Sequence, residues 1–133
     1  MPPDDHDAAL LLDMLGSARR AMAYAAGRSR EDLDRDPMLS DAIQRRIEIV
    51  NEAAHGVSEP FRQAHPQIQW RPIMATRHIL AHDYADVNLD IIWRICEEHL
   101  PPLVAQIAPL VHGRDEAHNS AGPGDPARGA APP

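Results

Sequence analysis

Apolar residues along this chain recur at intervals of three and four, the spacing of helices buried on one side. Leu11, Leu15, Ala18, Met22 and Ala25 make a continuous stripe. They predict a first helix from Asp4 to about Gly27, capped by Asp4 or Asp5 and stopped by the glycine. The charged stretch RSREDLDRDP then reads as a link with one turn of helix at most. A second helix, Leu39 to Ala54, is predicted from Ile43, Ile47, Val50 and Ala54, with Ser40 as its cap and Gly56 as its close. Arg45, Arg46, Glu48 and Glu52 fall mostly off that stripe and read as a solvated face. Ser58 opens a short amphipathic piece that ends at Pro66. A third helix begins near Trp70, with Pro72 in its first turn, where proline costs little. Asn88 reads as the cap of a last helix with Ile92, Ile95, Cys96 and His99 on one side. Pro101 and Pro102 remove two backbone donors and predict a kink or a fresh start before Leu103, Ile107, Leu110 and Val111.

No strand alternation of useful length and no internal repeat occur, so the expected fold is all-α, an up-and-down bundle of four to five helices. The division expected is a helical domain over 1–113 and a flexible tail over 114–133. The tail is rich in Pro, Gly and Ala and has no large apolar residue to offset its ordering entropy.

Composition narrows the class. Of 133 residues 44% are hydrophobic, and the aromatics are only two Trp, two Tyr and one Phe, so an aliphatic core is expected. A net charge of −7 argues against indiscriminate binding to nucleic acid or anionic membrane, and no DNA partner is expected, although a local basic site is compatible with it. Cys96 is the only cysteine, which rules out an internal disulfide and suits a reducing compartment. The acidic MPPDDHD start and the apolar run broken at Asp13 give no sign of export or membrane insertion, so a cytoplasmic protein is expected.

The chemistry concentrates in Trp70 to Tyr84, WRPIMATRHILAHDY, where Arg77, His82 and Tyr84 spell R-x4-H-x-Y. At about 100° per residue, Arg77 and Tyr84 share a line while His82 points roughly 140° away from Arg77. One intact helix therefore cannot aim all three at one small substrate atom. Either the helix ends near His82, or a second copy of the chain supplies part of the site. Arg71, Arg77 and Arg94, with His78 and His82, make the region locally cationic. These are the groups a metal-independent ribonuclease needs. RNA supplies its own 2′-hydroxyl nucleophile, an imidazole moves protons near neutral pH, and an arginine holds the phosphate with two hydrogen bonds. No cofactor is called for. A divalent ion on His78, His82 and Asp86, at i, i+4 and i+8, is the competing chemistry, although neither an H-E-x-x-H motif nor a cysteine pair accompanies them.

The segment from Asp41 to about Leu110 resembles the HepT-like family of HEPN-domain toxins. The resemblance is carried by DAIQRRIEIVNEAA, HPQIQWRPIMATRHILAHDY and VNLDIIWRICEEHLPPLVAQI in the family's order and spacing. It implies a homodimer whose two motif helices line a shared cleft, which would resolve the geometric problem above. It also implies a toxin ribonuclease acting on cellular RNA, tRNA or mRNA, with Arg77 and His82 as catalytic groups; beside it, the residues themselves offer His78 as a supporting group and Glu52 as a further candidate. A minimal nucleotidyltransferase antitoxin of the MntA type would neutralise it by transferring AMP to Tyr84, setting a bulky anion beside the phosphate-binding arginine. One departure is His78, which stands where the family often has Asn. The rival readings are a non-catalytic module that docks the nucleotidyltransferase or a nucleotide, and a metal-binding bundle.

Overall fold

A computed structural model describes residues 2–81 and 88–114. Its elements are α1 (Asp5–Ala25), α2 (Asp32–Arg35), α3 (Pro37–Gly56), α4 (Glu59–Ala64), α5 (Trp70–Ala81), α6 (Leu89–Arg94), a π-helical segment (Ile95–His99), α7 (Leu100–Ile107) and a 3₁₀ turn (Ala108–Val111). The described residues contain no strand, and the all-α bundle is the fold. Its long members are α1, α3, α5 and the composite last helix. α1 packs along α3, α3 along α5, and α1 also against α7.

The core is aliphatic. Leu11, Met14, Leu15, Ala18 and Ala21 of α1 meet Ile43, Ile47, Val50 and Ala54 of α3, then Ile73 of α5 and Ile92, Leu100, Leu103 and Ile107 of the last helix. The stripe of α1 is rotated slightly from its predicted line. Met14 and Ala21 are fully buried, while Met22 and Ala25 sit at the edge of the core. A stripe serving two neighbours, α3 and α7, must be broader than one line of residues.

The helix ends follow local chemistry. The Asp4 carboxylate accepts from the backbone N–H of Asp7 at 2.8 Å, and Gly27, with φ of +74°, turns the chain after α1. The link after α1 does form one turn, α2, because Leu33 reaches the core. The start of α3 corrects the sequence reading. Its cap is Asp36, which accepts from Leu39 N at 3.1 Å with Pro37 at the first helical position. Ser40 lies inside the helix, buried, and receives a hydrogen bond from Gln44 at 2.9 Å. A Ser and an Asp four residues apart both suit a cap, and the proline after Asp36 decides between them.

Of the two outcomes expected at the prolines, the structure has the fresh start: both lie in the first turn of α7, entered through a widened turn. Leu100 N bonds back five residues to Ile95 O, so the turn before Pro101 and Pro102 is widened and the chain keeps helical dihedrals into α7. A wide turn keeps the proline rings off the preceding carbonyls, and this takes the place of a break. Arg114, placed at the head of the tail, is helical and pairs with Asp5 at 3.0 Å. The rest of that tail lies outside the described residues. Among the described residues, no helix is long and apolar enough to cross a membrane.

Candidate functional site around the end of helix α5

Helix α5 is held at its base by aromatic packing. The Trp70 indole N–H donates to His65 O at 3.0 Å. Phe61 stacks on His65 and meets Trp70 edge-on, with centroids 4.1 and 6.5 Å apart. Trp70, Ile73 and Thr76 form the buried side of the helix. Arg71, Pro72 and Ala75 face out.

One buried polar cluster fixes the turn that leads into Arg77. Asn51 of α3, 2% exposed, directs its amide nitrogen at Ile73 O (2.9 Å), Met74 O (2.9 Å) and Thr76 Oγ1 (3.0 Å). The Thr76 hydroxyl in turn donates to Ile73 O at 2.7 Å. All three groups facing the Asn51 nitrogen accept, so its two protons are shared among them and the opposite amide orientation would oppose oxygen to oxygen. In a regular helix, the carbonyls of Ile73 and Met74 take the N–H groups of Arg77 and His78. Asn51 therefore grips α5 at the carbonyls that anchor the next turn. Arg77 and His78 have a described helical backbone; the described side chains of α5 end at Thr76.

Sequence reasoning missed Asn51 and named its neighbour Glu52, which is exposed. The available signal was a polar residue on the apolar side of α3, four after Ile47 and three before Ala54.

The far side of the motif is fixed as well. Asn88 caps α6, accepting from Asp90 N at 3.0 Å and Ile91 N at 3.4 Å. Arg30, in the link before α2, donates to Asp90 at 2.6 Å and Asp34 at 2.9 Å. The hydrogen bond it donates to Asp90, supported by the one to Asp34, raises the pKa of this guanidinium, so it stays cationic. The segment 82–87 is thus bracketed by two anchored helices. His82 and Tyr84, the predicted proton-transfer group and modification target, lie outside the described residues. So do His82 and Asp86 of the metal alternative. Among the described residues no group of three or more His, Cys, Asp or Glu is arranged to hold a metal ion.

The family model for HepT-like ribonucleases matches residues 14–110. A protein of Caldanaerobacter subterraneus, provisionally named RNase TTE0752, is 35% identical over 85 residues, covering 64% of this chain and 76% of its own length. A Thermococcus cleftensis protein named probable ribonuclease HepT is 31% identical over 80 residues, 60% of this chain and 73% of its own. A Methanocaldococcus jannaschii protein, provisionally named RNase MJ1380, is 26% identical over 99 residues, 74% of this chain and 91% of its own. No solved structure matches the chain at a significant level. The matched span runs from the middle of α1 to the final 3₁₀ turn and takes in the whole R-x4-H-x-Y segment, and on that match this chain belongs to the HepT-like ribonuclease family.

Proposed function

We propose that the chain is a toxin ribonuclease that cleaves RNA without a metal ion, working as a homodimer through Arg77 and His82. The observation that carries this reading is the family match over 14–110, which encloses a motif of the right chemical types that begins on a helix anchored at its buried face. In the proposed reaction His82 takes the proton of the RNA 2′-hydroxyl. The 2′-oxygen forms a bond to phosphorus as the bond to the 5′-oxygen breaks; that oxygen takes a proton from water, and the proton held by His82 returns to solvent. Arg77 pairs with the phosphate oxygens as their charge grows, and His78 supports it. The products are a 2′,3′-cyclic phosphate and a 5′-hydroxyl. The functional domain is residues 1–113. A nucleotidyltransferase antitoxin silences it by placing AMP on Tyr84, next to the arginine that receives the phosphate.

The test is incubation of purified protein with total RNA in EDTA, beside His82→Ala. The expected result is cleavage by the wild type, about 10²–10⁴-fold slower in the variant. Equal behaviour of the two defeats the catalytic assignment. A non-catalytic module that docks the nucleotidyltransferase is the second reading, favoured by the net charge of −7. It requires tight complex formation, no cleavage, and no growth defect on expression.

A further inference from the structure

A groove lies on the outer side of α5, one to two turns before the motif. Its volume is about 490 Å³, within the range of pockets that take small organic groups. Trp70, Met74 and Ala75 floor it, and Arg62 of α4 and Arg71 of α5 flank it. Arg62 rests its guanidinium on the Met74 sulfur at 3.5 Å, and neither arginine has an ion pair with a described residue. Glu59 and Gln63 also border the groove, the Gln63 amide donating to the Glu59 carboxylate at 3.1 Å, so its rim carries two guanidinium groups and one carboxylate.

We propose that this groove is a second RNA-binding subsite, in which Arg62 and Arg71 hold the phosphates of nucleotides flanking the cleaved bond and the Trp70–Met74 floor takes a base. The identity of the occupant rests on the ribonuclease reading; the groove and its charges do not. Two features select a nucleotide over an apolar partner segment. The groove joins an apolar floor to cations, which matches a base joined to a phosphate. Those cations converge in a chain of net charge −7, where Arg28, Arg30, Arg45 and Arg114 are paired to carboxylates. Position is the third argument. Arg71 and the motif's first residue are six positions apart on one helix, about 9 Å along its axis, within the reach of two or three nucleotides. Guanidinium suits the role, since it grips phosphate in a fork and also stacks on bases.

The experiment measures binding of a labelled single-stranded 2′-O-methyl RNA, which lacks the nucleophile, by anisotropy over a salt series. Each phosphate contact contributes about 0.7 to the slope of log K against log salt. Arg62→Ala with Arg71→Ala should lower that slope by about 1.4 and weaken binding about 25-fold at 0.1 M salt by this term alone. Arg71→Ala by itself, at an exposed position, should lower it by about 0.7, and Arg71→Lys should restore it. With cleavable RNA the double variant should raise KM and leave kcat at saturation unchanged. An unchanged slope overturns the proposal, as does a wild type with no salt-dependent binding. So does a double variant that loses a dimer on size exclusion, which would assign the face to a second copy of the chain. Absence of RNA cleavage by a wild type that still binds through these arginines would sink the ribonuclease reading and leave the subsite standing.

Discussion

Replacing Asn51 tests how the motif helix is held. Its amide reaches three acceptors on α5 with two protons, so Asn51→Ala removes about two net hydrogen bonds, each worth about 1 kcal/mol. It also leaves a small cavity at a residue only 2% exposed. The carbonyls of Ile73 and Met74 keep helical partners, which limits the penalty for stranded acceptors. The sum is about 2–3 kcal/mol, a fall in Tm on the order of 10 °C for a domain of this size. Asn51→Asp has nearly the same shape and sharpens the test. An ionised carboxylate there would face three oxygens, so the folded state favours the protonated acid and raises its pKa above the unfolded value of about 3.9. Below that pH both states are protonated and the penalty is small. As pH rises from there to the raised folded pKa, the unfolded state loses its proton first and stability falls. Urea denaturation followed by helical circular dichroism, from pH 4 to 8, reads both effects. A loss under about 0.5 kcal/mol for Asn51→Ala, or an Asn51→Asp variant whose loss does not grow with pH, refutes the role drawn here.

Three further outcomes are expected. Ser58→Ala should cost about 1–2 kcal/mol in urea denaturation. Ser58 caps α4, and its N–H and hydroxyl donate at 2.8 and 2.6 Å to the buried carboxylate of Asp7. Gly27→Ala should cost about 1 kcal/mol by the same measurement, through backbone conformation alone, because φ is +74° and an added Cβ would meet no atom within 4 Å. Burial pushes the Cys96 thiol up to about 11, so it should resist a disulfide reagent at pH 8 until the chain is unfolded. From about pH 9 to 11 the unfolded thiol ionises while the folded one stays protonated, so stability should fall with rising pH across that window.

The sequence alone determined the helical class and the approximate limits of the four long segments, because these depend on neighbours within a turn or two. Asn88 as a cap, Gly27 as a stop and the prolines as a disturbance in the last helix are all local consequences of side-chain size and donor count. Tertiary structure decided what distance in the chain had hidden. Asn51 is separated from its acceptors by 22 to 25 positions, and Arg62 from Met74 by 12, so no periodicity connects them. Whether α1 buries Met14 or Met22 likewise depended on the angle at which two neighbours meet it. A helix stripe tells which side turns inward; only the packed bundle tells which atoms wait there.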